Sequence, residues 1–227
     1  MPRVVGRTLG GRALVRPGLR AWRVRLAGRA WKHAAMTDEA SPPPDPGAVA
    51  DLESVLAGTV TIIGGVSKDQ AHLPTPCPGF DVAQLVDHVV GWAGSFAARL
   101  GGREPGVDPE TFRVGPDPRG QLEGFAAEIV RGYRQNSPGA QHLPIGVLLM
   151  DLQAHGWDLA IATGQQAPFG EREAATALAA GRQMLKPEYR GADKAFGPEV
   201  AAAEGATALE QLVAFLGRDP SWMPPAR

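Results

Sequence analysis

The chain has 227 residues, 44% of them hydrophobic and 21% charged, with a formal net charge of −1 and one cysteine. That length supports one domain with a sizeable core, or a domain with an appendage, and a single Cys77 excludes an internal disulfide or an all-cysteine metal site. No run reaches the ~20 consecutive apolar residues of a membrane span, so no membrane partner is expected, and the lone cysteine suits a reducing cytoplasm.

Charge is unevenly spread. Residues 1–35 hold eight arginines and Lys32 without a single acid, leaving 14 basic against 24 acidic side chains in the remainder, a net of −10. A body that acidic is a poor match to the phosphate neutralisation on which nucleic-acid binding depends, and no nucleic-acid partner is expected. Arginines interrupt every apolar run of the leader, so it has no secretory h-region, and it lacks the serines of a transit peptide. Translation starting at Met36 is the simplest reading of it. Residues 1–46, which run into the "SPPPDPG" linker, are expected to be disordered and to take no part in the fold.

Val49, Leu52, Leu56 and Ile63 recur at helical spacing and predict helix one over roughly residues 47–67. The proline-rich loop "HLPTPCPGF" follows. Asp81 then stands where an N-cap belongs, ahead of "VAQLVDHVVGWAGSFAARL", so helix two ends at the Gly101-Gly102 pair. Leu122, Phe125, Ile129 and Tyr133 mark helix three, closed by "NSPG", and helix four runs from about Pro144 to Thr163 before Gly164. Four amphipathic helices predict an all-α four-helix bundle over 47–165. The 103–119 connection is long for antiparallel neighbours, which points to a crossover. Residues 166–227 carry helices at about 170–186 and 206–217, separated by a Gly/Ala-rich stretch with no readable pattern. They are too few for a second core and are expected to pack on the bundle as a C-terminal extension.

Helix four carries the residues that need explaining. Ile145, Leu148, Leu152, His155 and Leu159 follow the three-and-four spacing of a core stripe, so His155 faces the bundle interior. Asp151 lies one turn before it and Asp158 nearly one turn after, and an i,i+4 pair sits about 5–6 Å apart, close enough to share one ion. On helix two, His88 lies at the edge of an apolar face between Leu85 and Trp92. Two histidines and a carboxylate converging inside a bundle match an open divalent-metal site with three protein ligands. Spacing alone leaves the plainer alternative open, in which both histidines are hydrogen-bonded core residues. Cys77, four residues before helix two, is either a thiol activated near a helix N-terminus or a small buried hydrophobe. His72 and His142 fall in or beside loops and are read as surface residues, and His33 belongs to the leader.

Three separated stretches in order, "PTPCPGFDVAQLVDHVVG" (74–91), "LQAHGWDLAIATGQ" (152–165) and "LVAFLGRDPSW" (212–222), resemble the actinobacterial family related to the mycothiol-dependent maleylpyruvate isomerase N-terminal domain, within the DinB-like metalloprotein superfamily. The resemblance implies a DinB-like four-helix bundle with a crossover, holding a divalent metal, zinc by preference. His88 matches the helix-two ligand and His155 the second helix-four ligand. Asp151 stands where the characterised isomerase has glutamate and some relatives histidine, and Asp158 matches a group behind the ligands. The chemistry implied is activation of mycothiol, or a similar low-molecular-weight thiol, for reaction with an electrophilic small molecule, as a transferase or isomerase. The alternatives are a non-catalytic metal- or thiol-binding stress or regulatory module of the same fold, and a purely structural bundle.

Overall fold

The computed structural model describes residues 42–225, apart from residues 107, 192, 193 and 195. The leader, with His33 and Met36, lies outside the described residues. Among those described there are seven α-helices and no strand, only two isolated β-bridges. Helix α1 spans Pro46–Gly64, α2 Val82–Leu100, α3 Pro118–Arg134, α4 Pro138–His142, α5 Ile145–Thr163, α6 Glu171–Met184 and α7 Ala208–Phe215.

Local chemistry sets these boundaries. Asp45, Asp117 and Ser137 each accept a backbone N–H of the first turn, with a proline pre-set at the helix start. Asp81 and Thr207 form capping boxes with Gln84 and Glu210. Gly164 closes α5 in the left-handed conformation at φ 73°. Helix α1 stops three residues short of its predicted end, because Gly65 caps it and Ser67 opens a separate 3-10 turn at Lys68–Gln70.

Helix α1 packs against α3 and α5, and α2 packs against the same two helices. The helices that follow one another first in the chain, α1 and α2, therefore lie on a diagonal of the bundle. The crossing falls at the 65–81 connection and again at 135–144. The long 101–117 connection instead joins two neighbours, α2 and α3, and its extra length lies as a strap along α2. Loop length was thus a misleading guide to where the chain crosses.

Helix α5 departs from the amphipathic pattern expected for it. Fifteen of its residues are buried, from Gly146 to Ala162, because α6 covers the face that a plain four-helix bundle would leave to solvent. The extension is tied down by polar contacts as well. Buried Asp51 of α1 accepts from Thr176 Oγ1 of α6 at 3.2 Å and pairs with Arg172 at 2.6 Å. Helix α1 is apolar and long enough to pass a membrane-span test by composition, but its apolar residues Leu52, Val55, Leu56 and Ile62 are all in the core.

Candidate metal centre

Three side chains from two helices meet inside the bundle. His88 of α2 and Asp151 and His155 of α5 each present a ligand atom, all within 4.8 Å of one another. His155 Nε2 lies 3.4 Å from Asp151 Oδ1, and the two imidazoles stand edge to face with ring centroids 5.1 Å apart. For an ion at about 2.0–2.2 Å, typical of zinc ligands, tetrahedral geometry sets neighbouring donors about 3.3–3.6 Å apart. The Asp151–His155 edge already has that length. All three side chains are largely buried, those of Asp151 and His155 to the same degree. Two imidazoles, which are neutral when they ligate an ion, and a carboxylate suit a borderline-soft divalent ion.

The other nitrogen of His155 is committed. Its Nδ1 is 3.2 Å from Oδ2 of Asp158, which is fully buried. Burial alone pushes the Asp158 carboxyl up, but the Arg218 guanidinium and the contact with His155 outweigh it and hold the group below its usual range. Asp158 is therefore an ionised acceptor, and Nδ1–H is the donor. Arg218 completes the chain: Nη2 donates to Asp158 Oδ2 at 3.0 Å and Nε to Oδ1 at 3.4 Å, while Nη1 caps the Leu216 carbonyl at 3.1 Å. A carboxylate behind a ligating histidine fixes its tautomer and aims its free nitrogen. For His155 itself, burial disfavours the charged form, yet Asp151's charge and the hydrogen bonds the imidazole donates to Asp151, Asp158 and Cys77 prevail and hold its pKa well above the ordinary value.

Cys77 is buried in this cluster. Thr75 Oγ1 donates to the carbonyls of Cys77 and Phe80, folding the proline loop so that the thiol faces α5. Cys77, His155 and Asp158 form a second group with ligand atoms within 4.8 Å. Its cation is already present in the chain, because Arg218 Nη2 sits on Asp158 and 3.9 Å from Cys77 Sγ. The first group is the one left for an ion. His72 and His142 are exposed, and neither belongs to either group.

Arg218 has no counterpart among the residues singled out by spacing. It lies 60 residues beyond Asp158, and the visible signal was a basic residue directly after the apolar stripe of α7. Gly217 delivers it: at φ 86° the backbone turns left-handed, and a Cβ there would meet the Gly197 backbone at 2.8–2.9 Å. Glu110, in the strap after α2, was also missed. Its Oε1 accepts from Trp92 Nε1 at 3.1 Å and lies 3.9 Å from His88 Nδ1. Phe80 and Trp92 wall the His88 ring, with centroids 5.0 and 6.4 Å away.

A family model described as the mycothiol maleylpyruvate isomerase N-terminal domain matches residues 52–160. Cys77, His88, Glu110, Asp151, His155 and Asp158 fall within that span, and Arg218 lies beyond it. An uncharacterized protein of Mycobacterium tuberculosis strain H37Rv is 32% identical over 169 residues, covering 69% of this chain and 90% of the relative. An uncharacterized protein of strain CDC 1551 of the same organism matches to the same extent. No solved structure matches the chain.

Proposed function

The chain belongs to the family of the mycothiol maleylpyruvate isomerase N-terminal domain, and on that premise we propose that it is a cytoplasmic DinB-like metalloprotein that uses a divalent ion, zinc by preference, to activate mycothiol or a similar small thiol. His88, Asp151 and His155 would hold the ion. The observation that carries this reading is their convergence from two helices, with the spare nitrogen of His155 already bound by Asp158. The reaction class is thiol transfer to an electrophilic small molecule, or an isomerisation that begins with thiol addition.

When bound, the ion supplies a Lewis acid that lowers the pKa of a docked thiol and favours the nucleophilic thiolate. The chain's own residues set the conditions for that step. Asp151 cancels one of the ion's two positive charges and the imidazoles cancel none, so the ligand set itself leaves one positive charge toward an incoming anionic sulfur, with Asp158 balanced by Arg218 and Glu110 lying behind His88. Asp158 and Arg218 hold His155 Nδ1 as a donor and so keep Nε2 for the ion. Phe80 and Trp92 exclude water beside His88 and strengthen the electrostatics within. Three protein donors leave a coordination position for the small molecule.

Elemental analysis of purified protein, with His88→Ala and His155→Ala beside it, tests the site. About one equivalent of metal in the wild type and its loss in both variants is expected. No stoichiometric metal in the wild type, or variants that retain it, removes the reading. Incubation with mycothiol and a bimane electrophile or maleylpyruvate then tests the chemistry. Thiol consumption above the buffer rate, absent in His88→Ala, marks an enzyme; a metal-loaded protein with no turnover is the non-catalytic binding module instead.

A further inference from the structure

The strap between α2 and α3 brings one more carboxylate to the site. Residues 108–114 lie along α2 and are held there at several points. Val114 N–H donates to Asp87 Oδ1 at 2.9 Å, Arg113 Nε pairs with Asp87 Oδ2 at 3.4 Å, and Glu110 N–H donates to Asp108 Oδ1 at 3.0 Å. Gly91 makes the close approach possible, since a Cβ there would lie 2.8 Å from Phe112 Cβ and 2.9 Å from the Pro109 carbonyl oxygen. The product of this anchoring is the placement of Glu110. Its side chain is only 12% exposed, and Oε1 is shared between the Trp92 indole N–H at 3.1 Å and His88 Nδ1 at 3.9 Å.

We propose that Glu110 is a positioning residue for His88, keeping Nδ1 as the nitrogen that faces an acid so that Nε2 is directed to the ion. It would do for the α2 ligand what Asp158 does for the α5 ligand. Each imidazole then has a carboxylate behind it that is itself steadied: Asp158 of the same helix, held by Arg218 of the tail, behind His155, and Glu110 of the strap, held by Trp92 of α2, behind His88. At 3.9 Å the Glu110 contact is longer than a hydrogen bond, and contacts of this kind in ligand-free sites shorten when the ligand arrives. The inference rests on the metal reading above.

The competing role is structural, with Glu110 serving only to satisfy the Trp92 indole. Cobalt(II) binding to the full chain separates the two, because affinity and the visible ligand-field spectrum report the ligand set rather than the fold. Loss of a carboxylate behind a ligating histidine costs about 10- to 100-fold in metal affinity, and that loss is expected for Glu110→Ala. Glu110→Gln, which keeps the shape and can still accept from Trp92, is expected to lose at least about fivefold and to shift the visible bands. Gly91→Ala, which lifts the strap without touching the acid, should weaken cobalt binding as Glu110→Ala does. His88→Ala is the reference. If it abolishes cobalt binding while Glu110→Gln stays within threefold of wild type with an unaltered spectrum, the Glu110 role is overturned; Glu110→Gln decides this even if the alanine variant does not fold. If His88→Ala itself binds cobalt as wild type does, the metal reading has failed, and the inference with it.

Discussion

Arg218→Met is the sharpest test of the buried cluster. The guanidinium and the Asp158 carboxylate are 7% and 0% exposed, and two N–H···O contacts at 3.0 and 3.4 Å join them. Methionine keeps much of the packing volume but strands the carboxylate with His155 Nδ1 as its remaining partner. Removing one member of a buried pair costs about 3–5 kcal/mol, and the neighbouring imidazole places the expected loss at the lower end, near ~3 kcal/mol. With a urea m-value of about 2–3 kcal/mol/M, the midpoint falls by roughly 1–1.5 M at pH 7, measured by circular dichroism with chelator present so that metal linkage does not enter. The pH dependence has a definite sign. In the wild type the folded-state pKa of Asp158 is depressed, so its contribution is present above the unfolded value of about 4 and is lost as pH falls through the folded one. The variant lacks that contribution from the start, and burial now raises the same carboxyl. Its deficit therefore shrinks on acidification. A midpoint shift under about 0.3 M at pH 7, or a deficit that grows toward acid pH, refutes the assignment of a coupled buried pair.

Three further outcomes follow from particular contacts. Asp151→Glu restores the methylene that the resembled isomerase has, and is expected to hold metal at least as tightly as wild type in chelator competition, while Asp151→Ala loses at least about tenfold; alanine binding at wild-type strength removes Asp151 from the ligand set. Burial raises the Tyr133 hydroxyl far above its ordinary value, and it donates to the Leu143 carbonyl at 2.9 Å. Its folded state therefore keeps the proton while the unfolded chain ionises above about pH 10, so the wild type loses stability relative to Tyr133→Phe by up to about 1.4 kcal/mol per pH unit there; a gap that is flat between pH 8 and 11 in denaturant titrations sinks this. A Cβ on Gly139 would lie 2.2 Å from the Arg99 carbonyl oxygen and 2.9 Å from Leu100 Cα, both backbone atoms that cannot swing aside. Gly139→Ala is expected to cost about 1–3 kcal/mol, seen as a drop of several degrees in Tm, and an unchanged Tm would show that α4 moves freely.

The helices were legible in the sequence because their signals are local. Asp81 and Gln84, or Thr207 and Glu210, are three residues apart, and the apolar stripes repeat within a turn or two. Helix α4 was missed because "SPGAQH" is too short to show a period, although Ser137 before Pro138 is a helix start in miniature. The pairing of His88 with Asp151 and His155 could be guessed from two stripes that both had to face inward. Arg218 and Glu110 could not. Each reaches the site from an irregular segment placed by a backbone event with no periodic trace: the left-handed turn at Gly217, and the close approach of the strap over Gly91. The burial of α5 on all sides was hidden for a related reason, since it depends on α6 covering a face that the helix's own sequence leaves ambiguous.

The 60-residue separation of Asp158 and Arg218 also imposes an order in time. At about 5–20 residues per second of synthesis, the histidine and both aspartates of α5 exist roughly 3–12 s before the arginine that secures one of them. Until that residue is made, the Asp158 carboxylate has His155 Nδ1 as its side-chain partner without the guanidinium. Arrival of the tail supplies the second partner, a guanidinium covalently part of the chain. The residue that secures the partner of His155 Nδ1 is thus the last of the cluster to be made.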